Sequence, residues 1–397
     1  MRIANVRSWR THTGTSHVEA DVDGEPLWFA SADANLVASP EAFASTVLIA
    51  AATRGEPLEI DAPVDRLWLQ RVPGILRQAE IWWRLPGTCV IPKDVVDIPR
   101  ERPGVTAQCF TGGVDSFYAL VSAEAWPGML VYAHGFDNKP DDRARLDAFL
   151  PGFREVAAAF RARPVVVSTN LRWHRTSRGV DFRRSHGGAL AALGHVLSGN
   201  VEQILIPSSY PYHDPKPWGS HWDLDPLWSS RRLAVEHADA TFRRGKKVQA
   251  IADQELVRRH LRVCPARKTP RGNCSKCEKC VRTMIAFAIC GKLEGCEAFD
   301  LTVPLEQRVS NLPILEPELV SIYEELICEI DDPRLKIAVD RLIADSQGKP
   351  GWYYNWLRRW RKKLTRMWGR LASPLRCRAA REPASPGTGS KAGDRGG

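Results

Sequence analysis

The chain has 397 residues, 44% of them hydrophobic, and a formal net charge of +10; that length allows two or three domains with a sizeable core. No run of 18 apolar residues occurs, which excludes a spanning helix. The opening Met1-Arg2-Ile3-Ala4-Asn5-Val6-Arg7 has no apolar stretch of the kind a secretory leader needs, so a cytoplasmic location is expected. The charge is local, because residues 352–381 hold ten Lys and Arg and no acid, so that one segment explains it and a basic surface over the whole molecule is not needed.

Residues 1–104 read as a small N-terminal α+β unit. Residues 18–22 alternate apolar and polar, Asp23-Gly24 is a hairpin turn, and 27–30 is the returning strand. A helix is expected over 40–52 behind Pro40, and a short strand over 58–60. Residues 65–83 place Leu67, Trp68, Val72, Ile75, Leu76, Ile81 and Trp82 at helical spacing, with a break expected at Pro73-Gly74. No catalytic constellation stands out here, so the expected role is structural or capping.

From 105 to about 300 the pattern changes. Apolar strands at 105–109, 129–134, 164–168 and 201–206 alternate with helices that open at 117 and cover 141–162 and 187–198. Such alternation predicts an α/β fold, a doubly wound and mostly parallel sheet covered on both faces. Ligands of such sheets lie beyond the carboxyl ends of the strands. That rule gathers residues 111–116, 134–137, Asn170 and 208–210 round one crevice.

The sharpest signal among them is Thr111-Gly112-Gly113-Val114-Asp115-Ser116, between a strand and an apolar helix. Two glycines let consecutive N–H groups point into one concavity. The following helix adds the positive end of its dipole, and Thr111 and Ser116 add hydroxyls. A phosphate or pyrophosphate site is expected; it is not the Walker loop, since GxxxxGK[ST] is absent.

Residues 208–228 are rich in proline and aromatics, too irregular for helix or strand and too aromatic for disorder. They are expected to form an ordered substrate loop. Ser208, Ser209, His213, Asp214, Trp218, His221 and Asp223 are its candidate residues. Tyr212, Trp218 or Trp222 would stack on a ring, and the histidines and acids would orient a nucleophile or hold Mg²⁺.

Cys274, Cys277 and Cys280 stand at CxxCxxC spacing, with Cys264 upstream. Four thiolates satisfy tetrahedral Zn²⁺ and leave no vacant position, which makes a structural centre. An iron–sulfur cluster, a redox dithiol and untethered cysteines are the alternatives. Such clustering suits a reducing compartment.

The turn at 111–116 resembles the SGGxDS loop of the PP-loop ATP pyrophosphatases, with Thr111 in place of the first Ser. Together with the cysteine spacing, residues 105–300 resemble the 7-cyano-7-deazaguanine synthase family. The resemblance implies an adenine-nucleotide α-hydrolase-like fold binding ATP and Mg²⁺ as well as Zn²⁺. It implies that Thr111, Gly112, Gly113, Val114, Asp115 and Ser116 hold the nucleotide, with Asp115 and Ser116 catalytic. It places His134 and Asp137 near the adenosine, and makes Cys264, Cys274, Cys277 and Cys280 the zinc ligands. The implied activity is that of an ATP-dependent ligase. It releases pyrophosphate and activates a carboxylate or carbonyl oxygen of a small-molecule acceptor for a nitrogen nucleophile, with ammonia the candidate donor. The rival readings are a tRNA-thiolating enzyme of the same superfamily and a non-catalytic nucleotide-binding partner at a membrane. A homodimer is one candidate assembly.

Residues 301–350 are expected to be a helical extension, with helices over 316–330 and 333–344. Then Trp352, Trp356, Trp360, Leu364, Met367 and Leu371 share one face of a basic amphipathic helix spanning 351–381. It is read as docked on its own body, on an anionic membrane at the inner surface, or on RNA. Residues 382–397 are expected to be disordered.

Overall fold

The computed structural model describes residues 1–100, 102–264 and 272–347, with Trp356 and Trp360. The basic helix at 351–381 and the tail at 382–397 therefore lie outside the described residues, those two tryptophans excepted. No helix of the described residues is long and apolar enough to cross a membrane.

The protein is α/β, built on one ten-stranded, mostly parallel sheet with eleven α-helices among the described residues. Its strands are β1 (Arg2–Arg10), β2 (Ser16–Val22), β3 (Glu25–Ser31), β4 (Leu58–Asp65), β5 (Val90–Val96), β6 (Val105–Cys109), β7 (Met129–His134), β8 (Arg163–Thr169), β9 (Val201–Pro207) and β10 (Ala234–Ala238). They lie side by side in the order β10-β9-β6-β7-β8-β3-β2-β1-β4-β5. Strands β10, β9, β6, β7 and β8 are mutually parallel.

The N-terminal region is not a unit apart. Strand β3 pairs antiparallel with β8, Phe29 facing Thr169 and Ala30 facing Ser168, so the sheet runs through. Side chains close the short seam. Ser31 Oγ donates to Val166 O at 2.7 Å, and Asp33 Oδ2 accepts from Val166 N at 2.9 Å. Asn170 accepts from Trp28 N at 3.0 Å and donates to Pro26 O at 2.9 Å. Its amide is thus spent on the seam rather than offered to the crevice.

Helix α1 (Pro40–Arg54) is buried almost all round, as a helix sandwiched between a sheet and other helices must be. Pro40 starts it and Gly55, in the left-handed region, ends it. Helix α2 (Arg66–Trp83) runs unbroken through Pro73, contrary to the expected break. Asp65 caps it, accepting from Leu67 N and Trp68 N, while Trp68, Val72, Ile75 and Ala79 anchor one face in the core. Anchorage at both ends outweighs one lost backbone hydrogen bond.

Helices α3 (Val114–Val121) and α4 (Arg143–Ala159) cover one face of the sheet. Helix α5 (Phe182–Leu197) covers the other, against α1. The chain thus winds from β6 through β7 to β8, then crosses back to place β9 on the far side of β6. The carboxyl ends of β6 and β9 are therefore the switch point of the sheet, where such folds open a crevice. Helices α6 (Arg244–Ile251), α7 (Glu255–His260), α8 (Glu278–Ile289), α9 (Leu305–Ser310), α10 (Pro317–Ile327) and α11 (Pro333–Ser346) extend the core on the α3 face.

Because one core cluster spans the seam, the N-terminal strands and the parallel sheet should unfold together. Asn170→Ala, which removes both seam bonds of that side chain, should lower stability by about 1–3 kcal/mol. Denaturant unfolding followed by tryptophan fluorescence checks this; two separated transitions would contradict it.

Candidate functional site: the glycine bend and the cysteine centre

The bend at 111–116 sits between the end of β6 and the start of α3. Gly112 has φ +72°, open to glycine and strained for other residues. A Cβ there would meet Arg262 and Phe149 at 3.5 Å. Ser116 Oγ donates to Gly113 O at 3.0 Å, and Thr111 Oγ1 accepts from Gly113 N at 3.2 Å, so the hydroxyls first shape the turn. From outside, Arg262 N donates to Gly112 O at 2.7 Å.

Cations surround this bend that the sequence reading did not single out. Arg244 Nη1 is 2.9 Å from Asp115 Oδ2. Lys247 is fully buried, with its Nζ donating to Ser208 O at 2.7 Å and lying 3.9 Å from Asp115 Oδ1. Burial holds the Lys247 ammonium below its usual range, against the pull of Asp115 and Asp239. Burial in turn pushes Asp239 up, towards its neutral form. Lys279, in the first turn of α8, is also held low, by the crowding of protein atoms and then by Arg244 and Arg282. Its side chain stays accessible to solvent. Arg244 and Lys247 thus converge on Asp115, whose Oδ1 is buried without a hydrogen-bond partner. Such surplus positive charge beside a helix N-terminus favours an anion.

The crevice residues behave differently from one another. His134 is fully buried at the end of β7. Its Nε2 donates to Pro140 O at 3.0 Å, Nδ1 has no partner, and burial lowers its pKa. Asp137 faces solvent, 3.9 Å from Arg172. Cys109 lies buried just before the bend. Burial, and then the charge of Asp225, push its thiol up to about 12, so it is no thiolate at neutral pH.

Residues 208–228 form an ordered cover over β9 and β10, in which His221 meets Asp223, Nδ1 to Oδ2 at 3.5 Å, while Asp214 pairs elsewhere and His213 is exposed. Ser208 Oγ donates to Tyr210 O at 2.6 Å, while Ser209 and His213 are exposed. Asp214 pairs with Lys216 at 2.8 Å and Arg243 at 3.1 Å. Asp223 is exposed, and His221 is buried with Nδ1 accepting from Asp223 N. The rings stack on each other. Trp218 packs on His186 and Tyr210, and Trp222 packs on His221 and Tyr212. Trp82 of α2 meets His221 edge-on, so the N-terminal region touches this cover.

Its centre is a pair that the sequence reading passed over. Asp225 is fully buried, and its Oδ2 accepts from Ser220 Oγ and from His237 Nδ1, both at 2.7 Å. Gly187 of α5 makes room for this, since a Cβ there would stand 1.9 Å from Gly219 O and 3.1 Å from Asp225 Oδ1.

Cys264, Cys274, Cys277 and Cys280 converge, all four sulfurs within 4.8 Å of one another, in a group that could hold a metal ion. Separations of 3.7 Å (Cys264–Cys277), 3.9 Å (Cys274–Cys280) and 3.5 Å (Cys277–Cys280) are too long for disulfides. They fit thiolates around one tetrahedral ion, whose bonds of about 2.3 Å put neighbouring sulfurs about 3.8 Å apart. Hydrogen bonding, chiefly with Cys280, draws the Cys277 thiol down towards thiolate. Asn273 holds the two halves together. It accepts from Val263 N at 2.9 Å and Cys264 N at 3.2 Å, and donates to Leu261 O at 2.7 Å and Ala298 O at 3.0 Å. Buried Arg308 braces the turn through Ser275 O at 2.7 Å and Asp300 O at 2.6 Å.

No family model matches the chain, and no solved structure matches it. A mitochondrial lipoyl synthase from Talaromyces stipitatus is similar to it over 149 residues at 26% identity, covering 36% of this chain and 34% of that protein. The chain therefore spans about a third of that relative's length, an extent that assigns no family.

Elemental analysis of the purified chain should find one bound metal ion, and Cys277→Ser should lose most of it. Asn273→Ala should retain the four thiols yet bind the ion about tenfold more weakly or worse, since the residue orients the segment bearing Cys264. Undiminished metal content in both variants would contradict this assignment.

Proposed function

We propose that the protein is an ATP-dependent adenylating enzyme of PP-loop type. The observation that carries the reading is the meeting of Arg244 and Lys247 with the glycine bend at the switch point of a parallel sheet. N–H groups of the bend and the start of α3 would hold the outer phosphates, with the Thr111 and Ser116 hydroxyls turning towards them. Lys247 and Arg244 would neutralise the charge that grows on the leaving pyrophosphate. Asp115, whose Oδ1 lacks a hydrogen-bond partner, would hold Mg²⁺, which would supply positive charge to the phosphates.

An acceptor oxygen attacks the α-phosphorus, the bond to the bridging oxygen breaks, and pyrophosphate leaves with that electron pair. The acyl- or imidoyl-adenylate so formed is then open to a nitrogen nucleophile, which displaces AMP. Asp225 and His237 lie beneath the cover of residues 208–228, where the acceptor would enter. Their hydrogen bond fixes the imidazole as an Nδ1 donor, leaving Nε2 as the base for the incoming nucleophile. Zinc suits the cysteine group best, since four thiolates without an open position make a structural centre. Its role would be to build the wall beside the bend. A thiol-transfer reading gains no support from Cys109, which is buried and protonated.

With ATP and a small-molecule extract, AMP and pyrophosphate should form in equal amounts. Asp115→Ala, Ser116→Ala and Lys247→Met should each reduce pyrophosphate release by about 10²-fold or more. Wild-type turnover in all three variants would sink the mechanism.

A further inference from the structure

Arg262 lies between two glycines. Its N–H donates to Gly112 O at 2.7 Å. Its Cδ would stand 3.5 Å from a Cβ on Gly112, and its Nε 3.3 Å from a Cβ on Gly272. Both glycines have positive φ, +72° in the bend and +83° just ahead of Cys274. Arg262 therefore touches the glycine bend on one side and the cysteine turn on the other. Its guanidinium is set against α4, 4.6 Å from the centre of the Phe149 ring.

The backbone on either side of Arg262 is held from the cysteine turn. Buried Asn273 accepts from Val263 N and Cys264 N, and donates to Leu261 O. Residues 261, 263 and 264 are thus tied to the residue next to Cys274, while Arg262 alone reaches across to the bend. An ion bound by the four cysteines would join Cys264 to the same turn a second time. The segment that touches Gly112 is then fixed through both its backbone and its sulfur.

We infer, on the reading of the bend as a phosphate site, that metal binding at the four cysteines and anion binding at the bend strengthen each other, with the Arg262–Gly112 contact as the link. The physical reason is preorganisation. The N–H groups of the bend converge on an anion in one backbone arrangement, which needs Gly112 at positive φ. With residue 262 held, the bend already stands in that arrangement. With it loose, ordering the bend draws on the free energy of anion binding. Linkage makes the effect reciprocal, so an anion on the bend tightens the metal by the factor by which the metal tightens the anion. The two ligands need not touch.

The test measures the zinc affinity of the full chain by competition with a zinc-selective chelator, which also buffers free zinc, with and without saturating Mg-ATP. Calorimetry with Mg-ATP and with inorganic tripolyphosphate shows first whether each binds. Saturating Mg-ATP should tighten zinc about tenfold, and tripolyphosphate should do the same. Arg262→Ala keeps the N–H and should retain the factor. Arg262→Pro removes the N–H and should bring the factor close to one; Leu261, at φ −60° and ψ 133°, already has the extended backbone that a following proline requires. Gly272→Ala disturbs the same link independently, by crowding the Arg262 side chain, and should also reduce the factor. Zinc affinity that bound Mg-ATP leaves unchanged in the wild-type chain overturns this inference and leaves the phosphate reading standing. A tenfold factor that persists in both Arg262→Pro and Gly272→Ala overturns it as well. A wild-type chain that binds neither Mg-ATP nor tripolyphosphate overturns both readings.

Discussion

A single backbone hydrogen bond, Arg262 N to Gly112 O at 2.7 Å, joins the two halves of the candidate site. On one side is a glycine in the left-handed region, which turns the chain from β6 into α3. On the other is a segment that supplies Cys264 two residues later and is tied by Asn273 to the turn bearing Cys274 and Cys277. The cysteine group and the glycine bend are thus one construction. An ion bound by these four cysteines would also fix where residue 262 lies, and with it the shape of the bend. The same centre launches α8, whose first turn carries Lys279. An ion held by the four cysteines, which pack against the core on the α3 face, would order the wall beside the bend.

The ten-stranded sheet serves the same end from the other direction. Pairing of β3 with β8 gives the parallel strands an antiparallel flank, so β8 is an interior strand with no exposed edge. Helix α1 packs between the two halves, and α2 sends Trp82 to His221 in the cover over β9 and β10. The N-terminal hundred residues therefore brace the crevice from one side while the cysteine element braces it from the other.

Much of the sheet was legible in the sequence because its central strands are apolar runs bounded by turn residues. Strands at 105–109, 129–134 and 201–206 stand where the pattern puts them. The sequence did not reveal β1, whose Arg2–Arg10 is polar along most of its length, because pairing with β2 and β4 decides its state. It did not reveal β10, a five-residue edge strand containing a glutamate and a histidine. Pro73 argued for a break that tertiary packing overrode. The cysteine group was legible because CxxC spacing is itself geometry. The cations were not, because Arg243-Arg244-Gly245-Lys246-Lys247 reads as a solvated charge run, and only the packing of α6 on α3 buries Lys247. In the loop at 208–228, nearness in sequence suggested that Asp214, His221 and Asp223 act together. The cover folds so that Asp214 pairs with Lys216 and away from His221 and Asp223, which meet each other, and Asp225 is the acid it buries.

The central claim is that backbone amides of the bend hold a nucleotide's phosphates. Amide hydrogen exchange resolved to single residues, with and without saturating Mg-ATP, tests it most directly. The account predicts slowed exchange at residues 112–116 and at the start of α3, where the N–H groups would acquire phosphate partners. Unchanged exchange across that stretch, under conditions where ATP is bound, would show that the bend is only a turn between a strand and a helix.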